Sequence, residues 1–283
     1  MKLKLSIIGC GRLGKTLGAL LVGTKLVCIQ DIVNLSRVSS AKAVAFLGQG
    51  RVCSTLKQLK RADIYLIATP DDCIEFIAQQ ITLQGTLKPG DVVFHCSGLL
   101  SSECLSSVAS LGCHVASLHP VFSFSEPMLD IKNFSGTYFA FEGNVEALER
   151  LLPLLNAIDA KIFSIEKKDK PLYHTASILA SNYLITLSAV AKDCYSKAGL
   201  NDTLAENLTL GLMSQALGKV QRLKPKEALT GPLQRADRDT LKKHLSALKS
   251  FPDLKYIYIS LGKATLALTR HEESLKKIIN ADF

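Results

Sequence analysis

The chain contains no Trp, and aromatic residues make up only 6% of it. So few aromatic faces argue against a platform on which nucleic-acid bases stack. Basic residues outnumber acidic ones and the formal charge is +9, yet no run of Lys or Arg exceeds a pair such as Lys167-Lys168. A scattered excess of this kind is expected of solvated helix backs, and nucleic acid is set aside as a partner. No two of the eight Cys form a Cys-x-x-Cys pair, so neither a zinc knuckle nor a disulfide framework is expected. They fall mostly in apolar runs, as reduced thiols of a cytoplasmic protein would. The His and acidic residues show no metal-ligand spacing, and no Ser/His/Asp arrangement supports acyl transfer. Long apolar runs are missing as well. Gly9 interrupts any signal-peptide core, and His174, Ser177, Ser181, Asn182 and Ser188 punctuate the apolar stretch 171–191, so no membrane span is expected.

What is present is ordinary globular composition, 47% hydrophobic and 21% charged, in 283 residues. That length suits two domains at about 150 residues each. The first half alternates apolar strand patterns with helical ones: strands at 3–8, 26–33, 64–68, 92–95, 114–118, 138–141 and 161–165, helices at 12–22, 39–47 and 145–157. This alternation predicts βαβ units, a Rossmann-type doubly wound parallel sheet. After the charged stretch 166–170 strand patterns fade. An all-α C-terminal domain is expected over 166–283, with the boundary after Ile165. Its first helix should start at Pro171 and run unbroken to about Ala198, where Gly199 stops it. Further helices are expected from an Asn201 or Asp202 cap to about Arg222, over 237–249 and over 254–273. The two domains differ in charge, with net +2 over 1–165 and +7 over 166–283.

The sharpest motif is Gly9-Cys10-Gly11-Arg12-Leu13-Gly14, which is G-x-G-x-x-G between an apolar strand and an apolar-periodic helix. Gly9 permits the tight turn, Gly11 lets the backbone approach a pyrophosphate, and Gly14 lets helix and strand pack closely. The helix N-terminus then holds the diphosphate of a dinucleotide. Asp31 stands where an acid would bind the ribose of NAD, but the apolar run continues through Val33 and places it inside the strand. The strand-end segment Asn34-Leu35-Ser36-Arg37 offers Asn34, Ser36 and Arg37 to a 2′-phosphate. NADP is therefore preferred, with NAD possible. Thr69-Pro70 ends another strand at the same edge and is placed on the nicotinamide side.

Further pieces recur in order: His95-Cys96-Ser97-Gly98, Ser117-Leu118-His119-Pro120-Val121-Phe122, Tyr173-His174, Ser181-Asn182-Tyr183, and Leu229-Thr230-Gly231-Pro232 with Arg235 and Asp237. As a set over the whole chain they resemble a family of Rossmann-like proteins with a C-terminal helical domain of unassigned function. That family is related to ketopantoate reductase, pyrroline-5-carboxylate reductase and the 6-phosphogluconate dehydrogenase group. The resemblance implies an NADP-binding domain, a substrate cleft between domains and a homodimer formed through the helical half. Two departures stand out. The family's Asn-Arg-Ser at the strand end is Asn34-Leu35-Ser36 here, which leaves only Arg37 to serve a phosphate. Its Gly-Pro-x-x-Arg-Gly-Asp has Ala236 in place of the second Gly, which puts a glycine-only backbone angle in doubt.

Hydride transfer asks a protein to position a carbonyl or imine and to polarise or protonate it. The candidates are His174 first, then His119, Ser97 and Asn182, with His95 and Lys170 nearby in sequence. On a continuous helix Ser181 returns to the face of His174 and Asn182 lies beside it. Ser181 and Arg235 are assigned to substrate, Arg235 as the partner of a substrate carboxylate. Arg235 and Asp237 also suit a structural ion pair, and Ser97 a helix cap. The expected function is an NADP-dependent reductase or dehydrogenase acting on a small anionic oxo or imino compound. The alternative is a non-catalytic NADP-binding sensor or scaffold.

Overall fold

A computed structural model describes residues 2–271, 273, 275 and 276. The first part runs β1 (Leu3–Ile8), α1 (Arg12–Gly23), β2 (Val27–Val33), α2 (Arg37–Leu47), β3 (Arg51–Cys53), β4 (Ile64–Ile67) and α3 (Asp71–Thr82). It continues with β5 (Val92–His95), α4 (Ser106–Ala109), β6 (His114–Pro120), α5 (Pro127–Lys132), β7 (Tyr138–Gly143), α6 (Val145–Ala157), β8 (Lys161–Ser164) and α7 (Lys170–Ala180). One sheet takes all eight strands in the order β3-β2-β1-β4-β5-β6-β7-β8. The pairs from β3 to β6 are parallel, β7 is antiparallel to β6, and β8 is parallel to β7.

Strand residues alternate between two cores because successive side chains point to opposite faces. Leu5, Ile7, Leu66 and Phe94 pack on one side with Leu17 of α1, and Ile8, Tyr65, Ile67 and Val93 on the other with Ile74 of α3. Burial on both faces explains why these strands read as continuous apolar runs. The short β3 carries no such run and was not anticipated. Its middle is only partly buried, and tertiary pairing with β2 makes it a strand.

The remaining elements are helical: α8 (Asn182–Lys197), α9 (Asp202–Val220), α10 (Pro225–Ala228), α11 (Arg238–Ala247) and α12 (Pro252–Leu266). Asn201 caps α9 by accepting the Leu204 N–H, as the sequence suggested. Helix α12 ends at Leu266 rather than near 273; position 272 lies outside the described residues. Two compact units divide between Ser181 and Asn182, not after Ile165. The reason is α7. Its Lys170 side chain is hydrogen-bonded to β6, and its Tyr173 to His119, so the whole helix belongs to the first unit.

The expected helix from Pro171 to Ala198 is also interrupted. Ser181 leaves helical geometry at φ −119°, ψ −71°, and its hydroxyl donates to the Ser177 carbonyl at 2.7 Å. Such back-bonding to residue i−4 bends helices. No described helix is long and apolar enough to cross a membrane.

Candidate functional site

The dinucleotide motif builds a cleft at the carboxyl edge of β1, β2 and β4. Gly9 sits at φ +84°, and a Cβ there would lie 2.7 Å from the Thr69 backbone nitrogen. Only glycine fits that turn. At Gly11 a Cβ would meet nothing closer than the Gly9 oxygen at 4.0 Å, so its open side is available to a ligand. Gly14 would bring a Cβ to 3.2 Å of the same oxygen, the close helix-on-strand approach the motif calls for. The Asn34 side chain reaches across from the end of β2 and accepts the Cys10 N–H at 2.5 Å, which pins the loop.

The resulting cleft has a volume of about 700 Å³. Of the expected cofactor residues, Gly9, Cys10, Gly11, Asn34, Thr69 and Pro70 line it, and Arg12, Leu13, Gly14, Ser36, Arg37 and Ser97 do not. Ser36 is the N-cap of α2, accepting the Ser39 N–H, so Arg37 is the first helical residue and not part of a strand-end loop. The wall on that side comes instead from Ser39 and Lys42, one turn apart on α2, with Ser54 and Thr55 opposite. Ser36-x-x-Ser39 was the overlooked signal. Taken as a cap, it starts the helix two residues earlier, at Arg37, and removes Arg37 from the strand-end loop.

Asp31 is fully buried in β2. It accepts from Arg51 Nε at 2.9 Å and from the Lys60 N–H at 2.5 Å, and Arg51 Nη2 lies 2.8 Å away. Its carboxylate is spent on tying β2 to β3 and the segment beyond. The carboxyl end of β2 therefore presents Asn34 and no acid.

A second cluster lies at the ends of β5 and β6. Ser97 is its hub. Its hydroxyl donates to Asp71 at 2.6 Å and accepts the Leu99 and Leu100 N–H groups, which makes it a turn-forming residue. His95 is fully buried; its Nδ1 accepts the Ser97 N–H at 3.1 Å and its Nε2 meets the Ser101 carbonyl at 3.2 Å. Burial pushes its pKa down to about 4. Lys170, fully buried, donates to Ser117 Oγ at 2.9 Å and to the Ser97 carbonyl at 3.3 Å. Burial holds its ammonium below the usual lysine range, against the raising effect of Glu142 and Asp71.

His119 and His174, both candidates from the sequence, come together. Their rings stand perpendicular with centroids 5.9 Å apart. Tyr173 Oη lies 2.6 Å from His119 Nδ1. Ser181 closes α7 with its hydroxyl on the Ser177 carbonyl, while Asn182 opens α8 in the second unit. The helical projection that set Asn182 beside His174 therefore does not hold past Ser181. In the second unit Arg235 is exposed, and Asp237 caps α11 by accepting the Thr240 N–H and hydroxyl. No ion pair joins Arg235 and Asp237 among the described residues. The left-handed angle survives the loss of glycine, with Ala236 at φ +55°.

The fold is a Rossmann-like architecture, and residues 1–120 match the model of the Rossmann-like domain. Residues 137–265 match that of a domain of unknown function, DUF2520. The chain is a Rossmann-like protein with a C-terminal DUF2520 domain. Comparison with curated proteins gives no match. Among solved structures, a Bacteroides fragilis protein provisionally assigned as an NADP oxidoreductase superposes with TM-score 0.76 at 19% identity, over 93% of this chain and 97% of that one. Protein TM1727 from Thermotoga maritima gives 0.70 at 24% identity, over 96% and 99%. Plasmodium falciparum pyrroline carboxylate reductase, solved with NADP bound, gives 0.57 at 16% identity, over 93% and 97%. At these identities the likeness concerns the fold.

Proposed function

We propose that this protein is an NADP-dependent oxidoreductase that moves a hydride between nicotinamide and a small, anionic oxo or imino compound. The observation that carries the cofactor reading is the fate of Asp31. Paired to Arg51 inside β2, it leaves the strand end without the acid an NAD ribose would need, next to Ser39 and Lys42. The Gly9–Gly14 turn and the start of α1 would hold the diphosphate, Lys42 with Ser39 the 2′-phosphate, and Thr69 and Pro70 the nicotinamide end. Bound NADPH supplies the hydride. The protein's own part is to position the acceptor and to manage its proton. His174 serves as proton donor and His119 as hydrogen-bonding partner, while Ser97 and Lys170 hold the β5 and β6 ends in place. Asn182 is kept as a candidate catalytic residue, and Ser181 and Arg235 as candidates for the substrate, with Arg235 as carboxylate partner. The net +7 of 166–283 favours an anionic compound. Oxidoreductase names among proteins of the same fold support the reading.

NADPH is expected to raise the melting temperature more than NADH, and Lys42→Ala to erase most of that difference. Equal shifts for the two cofactors in the unaltered protein would sink the NADP assignment. Nicotinamide absorbance followed across a panel of small oxo and imino acids separates the enzyme from a sensor that only binds the dinucleotide.

A further inference from the structure

The cluster at the ends of β5 and β6 fixes the chemical form of one imidazole. We infer that Tyr173 is a positioning residue that locks His119 as the neutral tautomer with the proton on Nε2, and that the missing side chain of Gly98 makes the room in which that N–H is held beside His174. The site thus offers an acceptor atom, a carbonyl oxygen or an imine nitrogen, a fixed neutral donor. The inference rests on reading this cluster as the place that receives the substrate.

Three observations converge on it. The first is the bond between Tyr173 Oη and His119 Nδ1, at 2.6 Å. A phenol is a far better proton donor than a neutral imidazole, and an imidazole nitrogen a far better acceptor than a phenol oxygen. The proton of that bond belongs to the tyrosine, which leaves the proton of neutral His119 on Nε2. Tyr173 is itself held in place. Its ring stands edge-on to Phe163 of β8 at 6.0 Å and to His119 at 5.6 Å. Burial raises its pKa to about 12, so it stays a phenol over the whole working range.

The second observation is the gap at Gly98, which is buried. A Cβ there would fall 2.5 Å from His174 Cδ2, 3.0 Å from His119 Nε2 and 3.1 Å from His119 Cε1. Both rings therefore converge on the one backbone position that has no side chain, and any larger residue must push them away. His119 Nε2 has no hydrogen-bond partner among the described residues, although Nδ1 is satisfied.

The third is electrostatic. Burial, then the positive charges of Lys170 and His174, push the His119 pKa down to about 4, against the raising effect of Asp71. The ring stays neutral near pH 7, so it donates a hydrogen bond without delivering a proton. A neutral imidazole of this kind can polarise a carbonyl while another group handles the proton. His174 is left for that second task.

Long-range proton–nitrogen NMR correlation on protein with ¹⁵N-labelled histidine reads the tautomer directly and needs no substrate. His119→Gln assigns the resonance. At pH 7 the His119 signals are expected to show a protonated Nε2 and a bare, hydrogen-bonded Nδ1. In Tyr173→Phe they should move toward a mixture of tautomers. Gly98→Ala should shift the signals of both His119 and His174. A wild-type spectrum showing an Nδ1–H tautomer or an imidazolium would overturn the inference even if neither variant folds. A Tyr173→Phe spectrum unchanged from wild type would overturn it as well. NADPH binding, measured on the same samples by thermal shift, reports on the oxidoreductase reading separately. Binding with the wrong tautomer rejects only this inference, and the right tautomer without binding rejects only that reading.

Discussion

Buried histidine and a strained alanine set measurable properties of single residues. His95 can accept the Ser97 N–H only while its Nδ1 is unprotonated, so protonation would break a bond inside the β5 turn. Its pKa in the folded chain, about 4, lies below the ordinary 6.5, and His119 shows the same depression. Between these values the unfolded chain binds more protons than the folded one, so stability rises with pH across the window. It is complete above about pH 6.5 and falls away toward pH 4. For His95 the contribution is on the order of 3 kcal/mol at about 1.4 kcal/mol per pH unit. Urea midpoints measured from pH 7 to pH 5 should fall, and His95→Asn should flatten the slope; an unchanged slope would contradict the burial argument. Ala236 at φ +55° pays for a conformation that costs an L-residue roughly 1–2 kcal/mol. Ala236→Gly relieves it at the cost of about 0.5–1 kcal/mol of chain entropy. A net gain of about 0.5 kcal/mol and a melting temperature higher by roughly 1–2 °C are expected. A lower melting temperature would show that the methyl group's packing against the Leu241 and Leu245 cluster outweighs the strain.

At the scale of elements, the glycine loop depends on a neighbour as much as on its own sequence. Asn34, at the end of β2, accepts the Cys10 N–H, and its own N–H is held by Ser40 Oγ of α2 at 2.9 Å. Removing that carboxamide with Asn34→Ala frees the loop between β1 and α1 without touching the wall at Lys42. Loss of about one hydrogen bond, roughly 1.4 kcal/mol, corresponds to about tenfold weaker binding. Calorimetric titration should show NADPH and NADH weakened alike, in contrast to Lys42→Ala. Selective loss of NADPH alone would mean that Asn34 touches the 2′-phosphate itself. Much of this level was legible beforehand. The ranges of β1 and α6 match the apolar periodicity residue for residue, and the glycine motif sits where its strand and helix context put it. The start of α2 was placed two residues late because Ser36 was assigned to a phosphate, whereas its side chain caps the helix. The unbroken helix to Ala198 failed at Ser181, where a hydroxyl competes for a backbone carbonyl. Apolar periodicity does not register such competition.

At the scale of the whole molecule, the second unit carries more apolar surface than a single copy buries. No residue of α8 is buried and α9 buries only Ala205 and Thr209. Tyr183 is 54% exposed, Ile185 67%, Leu210 52% and Leu212 56%. Exposed apolar surface of this kind is what an interface between chains would cover. The proposed homodimer should appear as twice the 30.7 kDa chain mass in light scattering at micromolar concentration. Leu212→Glu combined with Ile185→Glu should shift it toward monomer, and a monomeric unaltered protein would count against the proposal. The amino-acid sequence by itself determined the doubly wound sheet, the glycine turn and the helical second half, since each is written in local periodicity and in residues with special backbone freedom. Tertiary structure alone decided what the polar residues do. Asp31 is taken up by Arg51, Ser97 is occupied by Asp71, α7 is drawn into the first unit by Lys170, and His119 meets Tyr173 and Gly98. Each of those pairings joins positions 20 or more residues apart, and only the packed fold brings such partners within hydrogen-bond reach.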